Sequence, residues 1–271
     1  MTKILISCAS IVCTSILLPI QLLAFNFSST PKEISAHYIA PPQEMNTLIT
    51  KLTKNGFTIV AITNILEDYD IITISNQELQ STNSYMATLQ VNVNAKDTRV
   101  QNPSYLAAAY LGKSYYYGQF KNTVNALERA LGSLSESFQK ADFDSLAEYC
   151  FMYGLPKKED ILSIKRGSSF SKNLLTFKAK EYIIYTLTLP NGNILVGHKL
   201  RVKTSNFLQI LHQEKNAQML PYEAMINEQG VTILNPKYYL ALSLPLLTLQ
   251  EFMQIASVPD RIYRNIKKAY Q

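Results

Sequence analysis

From residue 43 onward, apolar positions switch repeatedly between a period near 3.6 and a period of 2, the mark of helices interleaved with strands. Met45, Leu48, Ile49 and Leu52 step at helical spacing, and Gly56 closes that run as a C-terminal glycine does. Residues 57–62, 69–75 and 85–93 are β-rich and read as strands. A longer stripe, Phe120, Val124, Leu127, Leu131, Leu134 and Phe138, advances by fours and threes and predicts an amphipathic helix lying on a sheet. Residues 143–154 read as another helix ending in glycine, with Cys150 on its apolar side. Strands follow at 174–180, 182–189 and 194–202. Asn191-Gly192, between the last two, predicts a two-residue type I′ hairpin. That register sets Tyr185 opposite His198 on one apolar face.

One stretch occurs twice. Asn102-Pro103-Ser104-Tyr105 and Asn235-Pro236-Lys237-Tyr238 each follow a β-rich run and open an apolar run of helical character. Asn is a good N-cap, and Pro suits the first helical position because its missing N–H has no partner there anyway. Both sites are therefore expected to be structural strand-to-helix turns. Met45 and Leu48 align with Phe143 and Leu146, Gly56 with Gly154, and Asn76-Gln77-Glu78 with His212-Gln213-Glu214. The chain thus divides into a first α/β unit, 43–140, and a second, 141–271, that carries an extra β-hairpin. Thr248 through Glu251 form a capping box, and Ser257 opens a last helix. The expected fold class is α+β: two related α/β sandwich units, each an antiparallel sheet with helices on one face, packed as a pseudo-dimer.

Composition and charge bear on location and partners. The 271 residues are 47% hydrophobic, enough for a packed core. The net charge of +6 is spread along the chain with no basic block, so a nucleic-acid partner is not expected. In residues 1–24, Lys3 precedes an almost uncharged apolar run that ends at Ala24, which reads as a secretory signal peptide. The mature chain is then periplasmic or secreted, with no stable membrane span. The alternative is an uncleaved anchor, because Leu22 stands where a small residue is usual. Cys8 and Cys13 lie in this segment, which leaves Cys150 as a lone, buried thiol. Residues 25–42 read as an irregular leader with His37 in solvent.

The segment 210–236 carries Leu220-Pro221, Gly230 and Asn235-Pro236, and Gly56-Phe57 and Asn102-Pro103 stand at matching places in the first unit. In this pattern the chain resembles the family catalogued as domain of unknown function 302. The resemblance implies a small α/β sandwich that pairs with a second copy, and it implies no activity. That family often has a cysteine near the first polar turn, where this chain has Asn76 and His212.

Candidate chemistry is sparse. His212 and Glu214 are two apart on an expected β-run, hence on one face, where they could begin a metal site that lacks a third ligand. His198 is either a core histidine or, beside Tyr185, part of a pocket wall. Glu67-Asp68 and Glu159-Asp160 read as solvated turn acids, and Tyr115-Tyr116-Tyr117 as sheet or rim residues or a binding surface. No catalytic triad spacing, phosphate loop or Cys-x-x-Cys is present. The expectation is an exported, non-catalytic cell-envelope protein. It binds a small molecule through Tyr185, His198, His212 and Glu214, or engages another envelope protein. The alternative is a metal- or haem-binding protein or enzyme that uses His198 or His212. No cofactor is identified.

Overall fold

The computed structural model describes residues 27–66, 68–167 and 181–271. The expected signal segment, Glu67 and the strand expected at 174–180 lie outside these residues. In chain order the strands are β1 (Glu33–Ser35), β2 (His37–Ala40), β3 (Thr58–Ile65), β4 (Tyr69–Ser75), β5 (Leu89–Val93), β6 (Thr98–Gln101), β7 (Ser135–Glu136), β8 (Lys140–Asp142), β9 (Leu162–Arg166), β10 (Ile183–Thr188), β11 (Ile194–His198), β12 (Tyr222–Asn227) and β13 (Gly230–Ile233). The first sheet has the order β3-β4-β5-β6-β2-β7 and the second β10-β11-β12-β13-β9, while β1 and β8 form a separate ribbon. Every pairing is antiparallel. Both orders run through four consecutive strands and then the strand that precedes them in sequence (β2 beside β6, β9 beside β13), and β7 has no counterpart in the second sheet. The hairpin β10–β11 stands in the second order where β3–β4 stands in the first.

Helices cover one face of each sheet. In the first unit α1 (Met45–Lys54), the short α2 (Gln77–Gln80), α3 (Pro103–Leu111) and α4 (Lys121–Leu131) send Leu48, Leu52, Leu79, Tyr105, Val124 and Leu127 against Ile72, Ile74, Leu89, Val91 and Val100. In the second, Phe207, Leu240, Ile255, Ile262 and Ile266 pack on Val196, Tyr222, Ala224, Ile226 and Val231. Asn102 Oδ1 accepts from the Ser104 amide at 2.9 Å and Asn235 Oδ1 from the Lys237 amide at 3.1 Å, each with Pro in the first turn. Thr248 and Glu251 form the capping box. Among the described residues, no helix is long and apolar enough to cross a membrane.

Local competition explains where the structure departs from expectation. The leader is ordered as β1 and β2, because Ile34, Ala36, Tyr38 and Ala40 alternate into the core, and His37 is buried. The long stripe stops at Gly132, whose φ of 86° ends α4, and Phe138 is left 93% exposed. Over 143–154 there is only a short 3₁₀ turn, Leu146–Glu148. The Asp142 carboxylate accepts from the Ser145 amide, and Ser145 Oγ donates to the Asp142 carbonyl, a local alternative to a helix. Cys150 lies outside any helix and is partly exposed. Residues 207–214 are not a strand. The helix Phe207–Ile210 closes with Gln213 N donating to the Leu208 carbonyl at 2.7 Å, and His212 sits at φ 52° as its left-handed terminus.

The β10–β11 hairpin also differs by one residue. Thr188 pairs with Ile194, Leu189 N donates to the Asn193 carbonyl, and Gly192 N donates to the Leu189 carbonyl, so Pro190, Asn191 and Gly192 form a three-residue loop. Pro190 holds the φ that the second residue of a type I turn requires, whereas a type I′ turn needs positive φ at both central residues. Gly192, at φ 85°, is the left-handed residue that follows. As a result Tyr185 pairs with Gly197, Leu187 with Leu195, and, past a bulge, Ile183 with His198.

Candidate functional site

The second face of the first sheet is polar and yet buried. Alternation sends Leu89, Val91 and Val93 to the helix side, so Gln90 and Asn92 point the other way. Thr73, Gln90, Asn92, Arg99, Gln101 and His37 share that face, each at most 9% exposed. The second unit covers them with the 3₁₀ segment Glu214–Met219 and with the face of its own sheet that carries Leu187, Leu195 and Met225. The two units therefore meet along a polar seam, beside which apolar residues cross: Ile65 and Ile71 join the second core, and Tyr238 and Leu242 the first.

Glu223 of β12 sits at one end of the seam. Its Oε1 accepts from the hydroxyls of Tyr185 and Thr88, and from Gln90 Nε2 at 3.3 Å. Thr88 and Gln90 belong to the first unit and Tyr185 to the second. Tyr185 reaches this carboxylate because Gly197 leaves room for its ring: a Cβ on residue 197 would stand 2.1 Å from Tyr185 Cε1. Burial pushes the Glu223 carboxyl up to about 7, against the opposing effect of the bonds from Thr88, Tyr185 and Gln90. Tyr85 donates to the Thr232 carbonyl at 3.2 Å and meets Tyr110 edge-on, while Tyr239 donates to the Met219 carbonyl at 2.5 Å. Burial raises the phenols of Tyr85, Tyr110, Tyr185 and Tyr239, so these neighbours stay neutral as Glu223 titrates.

Arg99 dominates the other end. Its Nε and Nη2 donate to Asp97 Oδ2 at 2.9 and 2.8 Å. Its Nη1 lies 3.2 Å from His37 Nε2 and 3.4 Å from Asn216 Oδ1 of the second unit. Guanidinium only donates, so His37 Nε2 accepts. Burial, reinforced by the Arg99 charge, lowers His37 to about 3 and keeps it neutral. Burial alone raises Asp97, but the bonds from Arg99 and Asn94 outweigh it and hold the carboxyl below its ordinary value. Between the two ends, His37, Gln101, Gln218 and Met219 line a void of about 20 Å³, room for a water molecule and little more. Thr73 Oγ1 and Asn92 Oδ1 on the polar sheet face, and Gln218 Oε1 beside the void, are buried without a protein hydrogen-bond partner.

An open cleft of about 630 Å³ lies at the edge of the interface. Its walls include Thr58, Asn76, Gln77, Gln80 and Asn83 of the first unit and Pro190 of the second. The Asn191 amide donates to Asn83 Oδ1 at 2.9 Å and joins the units at its rim.

The structure does not bring the four expected ligand contacts together. His198 is 1% exposed, on the helix side of its sheet, with Nε2 2.8 Å from the Tyr270 hydroxyl. Burial lowers it to about 4, so it is a neutral core histidine. Tyr185 lies on the opposite face, because the hairpin register is shifted by one. His212 is exposed at a helix end, and Glu214 follows it in the 3₁₀ segment. Among the described residues, no three His, Cys, Asp or Glu side chains gather so as to hold a metal ion. The missed residues left a faint signal: Glu223 is a lone acid in the apolar strand Tyr222–Asn227, and Gly197 interrupts a strand. The polar alternates Gln90 and Asn92 look like any solvent-facing set.

The chain matches no protein-family model, no curated protein and no solved structure, so the resemblance to domain of unknown function 302 rests on its motifs alone.

Proposed function

We propose that this is an exported, non-catalytic binding module of the cell envelope that takes a neutral, hydroxyl-rich ligand in the cleft between its two units. One observation carries this reading: the cleft is walled from both units and its lining has no charged side chain, only hydroxyl, carboxamide, glycine and proline residues. Neutral amides and hydroxyls exchange hydrogen bonds with sugar-like hydroxyls without the desolvation cost that a charge imposes. The volume falls in the range that small ligands fill. The corresponding strand orders of the two sheets support descent of both units from one ancestor of the type that the motifs suggest. Export rests on residues 1–24.

The test is to titrate the protein with neutral disaccharides (maltose, cellobiose, chitobiose) while following backbone amide shifts. Expected are changes confined to Gly56–Thr58, Asn76–Asn83 and the Pro190 loop, lost in Gln77→Ala and Asn83→Ala. No change at millimolar probe, or changes elsewhere on the surface, overturns the assignment of the cleft. Fractionation of cells that express the full chain tests export separately: protein with an intact N-terminus confined to the cytosol excludes it.

A further inference from the structure

Cations that are spread along the sequence gather on one side of the second unit. The last helix, Val258–Lys268, turns Val258, Ile262 and Ile266 into the core. Residues 198–203 leave β11 and run beside that helix in the opposite direction, and three contacts fix them there. His198 Nε2 lies 2.8 Å from the Tyr270 hydroxyl, the Arg201 amide donates to Asn265 Oδ1 at 2.9 Å, and Arg261 Nη1 donates to the Lys203 carbonyl at 3.2 Å. Arg261, Arg264 and Lys268 step by three and four and so share the flank of the helix next to Asn265. Lys199, Arg201 and Lys203 therefore lie along that flank. Five of the six are exposed and Arg261 is partly so.

Little opposes this charge. The six cations equal the net charge of the whole chain, +6. Residues 182–213 contain no acid, and the last helix contains one, Asp260 in its first turn. Among the described residues, neither Asp260 nor any of the six is in an ion pair. Like charges gathered this way repel and give the fold nothing in return. Val202, between Arg201 and Lys203, is 80% exposed. An aliphatic side chain held in water among cations has no task on a nucleic acid. In a lipid headgroup layer the two kinds of side chain act together: the cations meet phosphates while the apolar group reaches the acyl boundary.

We propose that this face is where the protein rests on an anionic phospholipid membrane, with the six cations against lipid phosphates and Val202 in the headgroup layer. The contact is peripheral and salt-dependent, because it is made by side chains at the surface and buries no helix.

The test is co-sedimentation of the full chain with vesicles of phosphatidylcholine, alone or with about 30 mol% phosphatidylglycerol, in about 50 mM salt. Any apolar attachment counts equally in both, so the difference between them reads the basic face. Binding to the anionic vesicles is expected to be tighter by about 100-fold or more and to fade at about 500 mM salt. Lys203→Gln with Lys268→Gln should weaken it about 25-fold, about 5-fold for each cation. Lys54→Gln with Lys121→Gln removes the same charge from exposed sites in the first unit and should change it less than about 2-fold. Val202→Ser should weaken it about 5-fold and leave the salt dependence as it was. All five positions are exposed, so an unchanged urea midpoint is expected and certifies each variant as folded. Three results overturn the proposal: equal binding to the two vesicles, equal losses in the two double variants, or tighter binding to a single-stranded oligonucleotide than to the anionic vesicles at the same salt, which would make the face a nucleic-acid site. Disaccharide binding at the cleft is read separately, so either proposal can fail without the other.

Discussion

Gly197 shows how one residue's size decides a site. The Tyr185 ring occupies the space a Cβ would need, and this places its hydroxyl on Glu223. Gly197→Ala should destabilise the protein by roughly 1–3 kcal/mol, the cost of overpacking a closed joint. The cost should shrink in a Tyr185→Ala background, and a double-mutant cycle by denaturant unfolding measures that coupling. Equal costs in both backgrounds would place the obstruction elsewhere. The Asn-Pro turns behave oppositely, because each cap bond is made two residues away and a local reading finds it. Asn235→Ala should cost about 0.5–2 kcal/mol. Asn102→Ala should cost more, because Asn102 Nδ2 also donates to the Ser35 carbonyl at 2.8 Å and fastens β1 from 67 residues away. Similar losses of thermal stability in the two variants would deny that second task. Caps were legible because both partners lie in the same short stretch. Glu223 was not, because Thr88 is 135 residues distant and contributes nothing to the local pattern.

At the scale of elements, existence was more legible than extent. Strand β4 falls at 69–75 as its composition predicts, and α1 closes just before its expected glycine, Gly56. Three of the errors share one cause, an apolar period that continued past a local stop: Gly132 after α4, the Asp142–Ser145 turn, and His212 at φ 52°. The hairpin is the sharpest case. Asn-Gly alone favours a two-residue turn, but the preceding Pro190 converts it into a type I turn with Gly192 in the left-handed position. Gly192→Ala should therefore cost about 1–2 kcal/mol, the penalty for a side chain at that φ. Nothing lies within 4 Å of a Cβ built there, so conformation alone sets the cost. An unchanged denaturation midpoint would mean that the loop relaxes to another turn. That single residue of register separates Tyr185 from His198 and sends them to opposite faces, one to the seam and one to the core.

Across the whole molecule, stability should rise with pH and level off near neutral, and the buried groups say why. His37 and His198 are held neutral by burial, down to about 3 and about 4. The unfolded chain binds a proton at each below about 6.5 and the folded chain does not, so their contribution is full above 6.5 and is lost as pH falls. Glu223 works the other way. Its folded value near 7 exceeds the unfolded 4.5, so its contribution is full below 4.5 and is lost as pH rises through 7. Between about 5 and 6 the histidines give the unfolded state two extra protons and Glu223 gives the folded state one. Stability should then rise with pH by about 1.4 kcal/mol per unit. Above about 6.5 the last of the histidine titration and that of Glu223 nearly cancel, so stability should level off near neutral pH. Asp97 is depressed and titrates below this window. Urea unfolding of the protein between pH 4.5 and 8.5 should trace that rise and plateau. In Glu223→Gln the acid limb should steepen to nearly two protons and stability should go on rising until about 7.5, with Glu128, also raised by burial, leaving a small opposing slope. His198→Phe should lose the Tyr270 bond and some stability at every pH, and its acid limb should flatten by one proton. A profile that is level from 5 to 8 in the unsubstituted protein would mean that water reaches these groups and that the seam and the second core are not dry.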